Sequence, residues 1–517
     1  MERIALKQVP IARRWVAGPL AGVLLVLLAA CSGGDSGSTQ ASLASGSDIA
    51  AESTQPGVTP FISFVQFRGT SMVGATAVRY VVEPKSGAAS RPVDVTYAIA
   101  ALKRRGYVGS SANLLVLPVF GLYAGSDNHL SVEFHFRDLS VQRIPVDVTT
   151  TAYVDPAGTY VRPLVHKRRS VGSALGFDYF ALKPAAGGPV VVDSDGELRW
   201  VGLGPSNSYS SAFRRNGFVV GEQGSTKLSR LELDGSASQV FLISPTITSF
   251  HHNIDPGKQG VLAEVNSVIG GATNLETTLV DVTDAGAVVK EWDFAALLGA
   301  YMLSQGDDPS NFVRPGADWF HMNAATYDPR DDSVIVSSRE NFVIKVRYQT
   351  GEIVWILGDP TKYWYTFPSL RAKALTLESG GLYPIGQHAT SVTADGLILL
   401  FNDGGASFNQ PAGAPVGESR SYSAVSAYAI DQGKASAKEV WRFDNAQSIL
   451  SDICSSAYES PDGSLLINYA AASNRTTVRL VALAPNRDVV FDFQYASAPC
   501  TAGWNAVQVP FEHMHFQ

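Results

Sequence analysis

Asp395-Gly396-Leu397-Ile398-Leu399-Leu400, Asp195-Gly196-Glu197-Leu198-Arg199-Trp200 and Asp462-Gly463-Ser464-Leu465-Leu466-Ile467 share one design, a tight-turn dipeptide followed by a short apolar strand. Asp-Gly supplies the positive φ that such a turn needs, so each stretch reads as the middle of a hairpin. Further along, Lys290-Glu291-Trp292-Asp293-Phe294, Ile353-Val354-Trp355-Ile356-Leu357 and Val440-Trp441-Arg442-Phe443 each place Trp or Phe in a closing strand. The theme recurs at roughly forty to sixty residues, six times, from near residues 174, 206, 250, 318, 385 and 452. A unit of this size cannot bury a core alone, and its neighbours must complete it. Solenoid repeats are usually shorter and more regular. The expectation is an all-β chain whose residues 163–517 form a six-bladed β-propeller, with Val507-Gln508-Val509-Pro510-Phe511 closing the ring against the first blade.

Upstream, Val78-Arg79-Tyr80-Val81-Val82, Asp94-Val95-Thr96-Tyr97-Ala98 and Leu130-Ser131-Val132-Glu133-Phe134-His135-Phe136 alternate as half-buried strands do. Residues 57–162 are therefore expected to form a small N-terminal β-sandwich, with the basic stretch from Val161 to Gly172 as the passage onward. Residues 32–56, rich in Gly and Ser at the start, read as a flexible tether. Residues 1–31 have a basic start and an apolar run from Val16 to Ala30, too short to span a bilayer stably, and read as a secretory signal. The run ends at Leu28-Ala29-Ala30-Cys31, which resembles the bacterial lipobox. That resemblance implies removal of the leader, lipidation of Cys31 and a periplasmic protein whose only membrane contact is the lipid. Ser32, not an acidic residue, follows Cys31 and favours the outer membrane.

Two further cysteines remain, Cys454 and Cys500, and an oxidising compartment allows them to pair. No CxxC or Cys/His cluster has zinc spacing. Hydrophobic residues make up 45% of the chain and charged ones only 17%, with 47 glycines against 5 methionines, as suits short strands joined by turns. A formal charge of −7, with no basic run beyond the short passage from Val161 to Gly172, argues against nucleic acid as a partner.

Histidines recur at one phase of the repeat, in the strand that enters a unit. They are His251 and His252 in Ser249-Phe250-His251-His252-Asn253, His321 in Asp318-Trp319-Phe320-His321-Met322-Asn323, and His388 in Gly386-Gln387-His388-Ala389. Entering strands line a propeller's channel, so these imidazoles converge. Three of them could hold a metal, but Arg339 in Val336-Ser337-Ser338-Arg339 belongs on the next strand after His321. A fixed cation there opposes a metal and suits an anionic substrate. No metal and no cofactor is expected. His513 and His515 read as a solvated strand face. Tyr363-Trp364-Tyr365 reads equally as an apolar wall or a packed loop.

Phe250-His251-His252-Asn253, Asp318-Trp319-Phe320-His321-Met322-Asn323, Ser337-Ser338-Arg339, Trp355-Ile356-Leu357-Gly358, Gly386-Gln387-His388-Ala389 and Leu400-Phe401-Asn402-Asp403-Gly404 together resemble the bacterial arylsulfate sulfotransferases, as does Gly121-Leu122-Tyr123-Ala124-Gly125-Ser126-Asp127-Asn128 upstream. The resemblance implies ping-pong transfer of a sulfuryl group from a phenolic sulfate ester to a phenol acceptor, without nucleotide-carried sulfate. It implies His388 as the nucleophile and His252, His321, Asn323 and Arg339 around the sulfuryl oxygens. It leaves open whether His252 or His321 is the acid/base. That family more often has Asp where this chain has Asn253, and His252 is favoured over His251 as the member facing the channel. A homodimer stays open. The competing function is a non-catalytic propeller lipoprotein acting as an outer-membrane scaffold or ligand-binding protein, which would leave the histidines and Arg339 unused.

Overall fold

The apolar inner strands of the repeat are buried on both faces. In the computed structural model, which describes residues 48–242 and 244–517, the chain is all-β, and six mainly antiparallel sheets follow one another. The first holds Tyr179–Lys183, Val190–Asp193 and Leu198–Val201. The second runs from Ser211–Arg214 to Ala237–Phe241, and the third from Ile247–Pro256 to Val288–Asp293. The fourth runs from Met322–Asp328 to Ile353–Leu357, the fifth from Gln387–Val392 to Ser436–Phe443, and the sixth from Ser456–Glu459 to Val489–Ala496. These starts fall within a few residues of the repeat positions read from sequence. The Asp-Gly turns are as expected, with φ of 92° at Gly196 and 89° at Gly396 and Gly463.

Each sheet packs on the next, the second on the third through aliphatic residues such as Val219 and Val261, and at the other joins the recurring aromatic residue takes part. Trp200 of the first sheet stacks on Phe218 of the second and donates to the Leu233 carbonyl at 3.0 Å. Trp292 of the third donates to the Tyr348 carbonyl in the last hairpin of the fourth at 3.2 Å. Trp355 of the fourth shares a cluster with Ile398 and Tyr428 of the fifth. Arg487, in the last hairpin of the sixth, lies over the ring of Trp441 in the fifth. Phe491 of the sixth stacks on Phe180 of the first. With both faces covered, an inner strand gains from apolar side chains at every position, hence the unbroken burial of Val190–Asp193 or Ser333–Ser338.

Both ends of the described chain are stitched into this series. Asn505–Gln508 pairs antiparallel with Tyr179–Lys183 at the edge of the first sheet, two residues ahead of the Val507–Phe511 stretch expected to pair there. Leu164–Lys167, expected as mere passage, is instead a strand on the outer edge of the sixth sheet. Ala50–Pro56 likewise departs from the expected tether. It pairs with Ile62–Arg68 in a three-stranded sheet, its exposed side chains explaining why it does not read as a buried strand. A five-stranded sheet holds Ala75–Val82, Val93–Ala98, Asp127–Phe136 and Val141–Thr149 with Met514–Phe516 parallel at its edge. These two sheets share one core with the first two sheets of the series. The leader, the Gly/Ser stretch and Cys31 lie outside the described residues. No helix among the described residues is long and apolar enough to cross a membrane.

Phe511 joins the upstream sheets to the series. Fully buried, it packs on Phe120 at 5.3 Å and Tyr179 at 5.5 Å. Phe511→Ala should destabilise the protein by about 3–5 kcal/mol, read as a lower urea midpoint at unchanged slope.

Candidate functional site

Three entering strands lose register where the expected site residues fall. In the third sheet Phe250 pairs with Val265 and Ile254 with Ala263, so His251, His252 and Asn253 bulge against Glu264 alone. In the fourth, Met322 pairs with Ser338 and Ala324 with Ser337, leaving Asn323 as the extra residue. In the fifth, His388 pairs with Phe401 and Ser391 with Leu399, which puts the bulge directly after His388. A bulge re-aims side chains that a regular pleat would alternate. His321 and Ala389 add left-handed backbone at φ 51°, a conformation held only where surroundings enforce it.

His388 is buried, and its Nδ1 lies 2.8 Å from the Gly386 carbonyl. A carbonyl only accepts, so Nδ1 carries the hydrogen and Nε2 keeps its lone pair. Burial, then the charge of Arg339, hold this imidazole down to about 3, so it is neutral throughout the physiological range. Arg339 follows the strand Ser333–Ser338 rather than lying within it. Its Nε and Nη2 meet Asp403 Oδ2 at 3.1 and 3.0 Å, Nη1 donates to the Ala406 carbonyl, and Phe408 covers the guanidinium face at 3.6 Å. Asp403 is also 3.9 Å from His388 Nδ1. Burial pushes its carboxyl up to about 7 against the pull of Arg339. Gly386 makes this packing possible: at φ 56°, a Cβ there would lie 1.7 Å from Asp403 Oδ1. Asn323 donates to the Gln387 carbonyl at 2.9 Å, fixing the peptide before His388.

The other imidazoles form a chain with two carboxylates. Nδ1 of His251 and of His252 are 3.1 Å apart. Nδ1 of His252 lies 3.3 Å, and Nδ1 of His321 3.1 Å, from one oxygen of Glu276. Asp318 meets His321 Nδ1 at 2.6 Å. The His252 ring is 4.6 Å from that of His321 and 5.5 Å from Trp504, and it meets the His251 ring edge-on at 5.4 Å. Burial, then the neighbouring His321, keep His251 down to about 3 and His252 well below the ordinary value. For His321 burial is outweighed by the Asp318 hydrogen bond and the charges of Glu276 and Asp318, and its pKa is raised. Burial pushes Glu276 up to about 7, against His321. His251, His252 and Glu276, or Glu276, Asp318 and His321, bring ligand atoms within 4.8 Å and could hold a divalent ion. The Arg339 charge, which acts on His252 and His321, opposes one.

A family model, arylsulfotransferase (ASST), matches residues 178–505. The chain belongs to the arylsulfotransferase family. An arylsulfate sulfotransferase AssT of Escherichia coli O6:H1 is 28% identical over 211 residues, covering 37% of this chain and 34% of the relative. The AssT of Lelliottia amnigena is 25% identical over 208 residues, with the same two shares. The aligned stretch thus spans about a third of either relative's length. The β-propeller domain of Myceliophteria thermophila Cps50 (Swd1) aligns over 65% of this chain and 88% of that domain at 13% identity, with a TM-score of 0.34, too low to bear on the architecture. The structure places His252, Asn323 and His388 on entering strands of the third, fourth and fifth sheets, and His321 and Arg339 just outside strands of the fourth. It also bonds Cys454 to Cys500. His513 and His515 are exposed, and Trp364 is a packed loop residue whose indole donates to the Asp359 carbonyl. Sequence reasoning assigned no role to Asp318, Asp403, Trp504 or Glu276. Asp318 and Asp403 lie within the quoted motifs. Glu276 has no local signal.

Two buried imidazoles at about 3 make stability pH-dependent. Their unfolded counterparts bind protons near ~6.5, so the unfolded state holds more protons between the two values. Stability is full above that window and is lost as pH falls through it. The fall in thermal midpoint from about pH 7 to about pH 4.5 should be smaller in His388→Gln than in the parent. Equal falls in calorimetry would contradict the buried neutral state of His388.

Proposed function

We propose that the chain is an aryl sulfate sulfotransferase that passes a sulfuryl group from a phenolic sulfate ester to a phenol through a covalent sulfohistidine. The observation that carries this reading is His388, its Nδ1 pinned to the Gly386 carbonyl, its pKa depressed and its Nε2 free to attack beside a buried guanidinium. Family membership supports the same chemistry. In the first half-reaction the Nε2 lone pair forms an N–S bond as the S–O bond to the aryl oxygen breaks, and the electron pair leaves with the phenolate. In the second, the acceptor oxygen takes the sulfuryl group and the pair returns to Nε2. Little covalent chemistry is left for the protein, so placement and charge stabilisation dominate, as in phosphoryl transfer. The architecture we propose for this work is a six-bladed propeller behind a small β-sandwich. It is supported by the packing of each sheet on the next and of Phe491 on Phe180.

The test uses p-nitrophenyl sulfate with a second phenol. Release of p-nitrophenol should accelerate with the acceptor and need no nucleotide or metal. After mixing with donor alone and an alkaline quench, intact-mass measurement should find an added sulfuryl group. His388→Ala should abolish that mass. Arg339→Ala should keep slow sulfurylation at a cost of roughly 2–4 kcal/mol, as for loss of an oxyanion donor. Sulfurylation of His388→Ala at the parent rate would place the nucleophile elsewhere.

We also propose a lipid anchor at Cys31 holding the enzyme in the periplasm at the outer membrane. Cys31→Ser should move the protein to the soluble periplasmic fraction with its activity intact. A variant that stays membrane-bound as a lipoprotein would rule the anchor out.

A further inference from the structure

Leu275-Glu276-Thr277 is a bulge in its own right. Val265 pairs with Thr278 and Ser267 with Asn274, so three residues stand opposite Asn266 alone. Glu276 has left-handed φ of 52°, and its N–H donates to Asn266 Oδ1 at 2.9 Å. This hairpin has no need of a carboxylate for its own ladder. The bulge instead carries one Glu276 oxygen between two imidazole nitrogens, 3.3 Å from His252 and 3.1 Å from His321.

The two rings are not treated alike. His321 Nδ1 faces two carboxylates, Glu276 and Asp318. His252 Nδ1 faces one carboxylate and the His251 ring. The remaining charged or titratable groups that act on this cluster are Arg339 and His388 on the His252 side, Arg339 on His321, and Tyr209 and Glu264, whose own ionisation feels Glu276. Positive charge from Arg339 opposes protonation of both rings, and only His321 has two negative partners to offset it.

We propose that Glu276 is a positioning residue which, with Asp318, holds the proton on His321 and so makes His321, not His252, the acid/base for the phenolic oxygen. This rests on the sulfuryl-transfer reading above. With Nδ1–H donated to Asp318 and the Glu276 oxygen 3.1 Å from the same nitrogen, the proton that moves is the one on Nε2. As the S–O bond breaks, the departing aryl oxygen takes that proton and His321 becomes neutral. In the second half-reaction the acceptor's O–H proton returns to Nε2 as its oxygen bonds to sulfur. His252 stays neutral throughout, tied back to His251.

The acid matters most for a poor leaving group. Single-turnover sulfurylation of the enzyme should be measured with p-nitrophenyl sulfate and with phenyl sulfate for the parent, Glu276→Gln and Glu276→Asp. Glu276→Gln should slow phenyl sulfate roughly tenfold or more, within the range of acid–base contributions, and p-nitrophenyl sulfate only about two- to threefold. The alkaline limb of the phenyl sulfate profile should move to lower pH, because losing a negative neighbour lowers the His321 pKa. Glu276→Asp should restore part of both effects. Equal slowing of the two donors with an unmoved alkaline limb would reduce Glu276 to a packing role and overturn the proposal. Long-range proton–nitrogen NMR of the imidazoles gives a readout free of turnover. His321 should titrate above the ordinary histidine value in the parent and lower in Glu276→Gln, and a neutral His321 beside a protonated His252 would also overturn it. Failure of the parent to turn over any aryl sulfate would instead strike the sulfuryl-transfer reading, whatever the NMR shows.

Discussion

Four residues near the end of the chain, Asn505–Gln508, hydrogen-bond to Tyr179–Lys183, and the remaining architecture leans on that pairing. Without it the first sheet would present three strands and an inner edge of unpaired N–H and C=O groups, each costly if buried. The pairing also sets what precedes and follows it. Trp504, one residue ahead, stacks on Tyr209 at the entrance to the second sheet and meets His252 edge-on. Phe511, three residues beyond the pair, is the peg between the series and the upstream sheets. The bond between Cys454 and Cys500 ties the sixth sheet to the same segment, in a cluster with Ala470 and Ala471 against which Trp504 packs.

The site uses this rigidity by breaking it locally. A regular entering strand alternates its side chains between two buried faces, which leaves none aimed along the sheet edge. Bulges at His251–Asn253, at Asn323 and after His388 supply that third direction. Their cost is carried by local bonds: Ser210 Oγ donates to the carbonyls of His251 and His252, and Ser337 Oγ and Asn323 both donate to that of Gln387. Asn253, unusual for the family, is also accounted for. Its side chain accepts from the buried Lys183 and donates to Asp255 at 2.8 Å, joining the first sheet to the third below the imidazoles.

What could be read from sequence was what repeats. Asp-Gly turns in several units, apolar inner strands and a Trp or Phe near each unit's end are local consequences of one packing problem met six times, so they survive in the chain as a pattern. The histidines were visible because they share a phase of that pattern. Glu276 was not, since it sits at an ordinary polar position of a hairpin and acts only through a bulge that no residue type announces. Arg339 was expected on the strand after His321 and falls directly beyond it. Yet its engagement by Asp403 and Phe408 depends on a loop running back across the site, which spacing does not encode. Ala50–Pro56 and Leu164–Lys167 were missed for the opposite reason: an outer edge strand needs no apolar side chains, only backbone to pair.

Met514–Phe516 lies parallel to Val93–Ala98, and Arg91 reaches Glu512 across 421 positions of sequence. The other strands of the sheet that holds Met514–Phe516 come from residues 75–149, so its edge strand is supplied only after the whole series of sheets that lies between them in sequence. Until then one edge is open, and an open edge is where stray chains add on. Arrival of the segment from Asn505 to Phe516 therefore does more than complete the first sheet, because it also covers an edge of a sheet made much earlier in the chain. Loop closure over such a distance makes that event slow, and the unfinished protein depends on its surroundings for the interval.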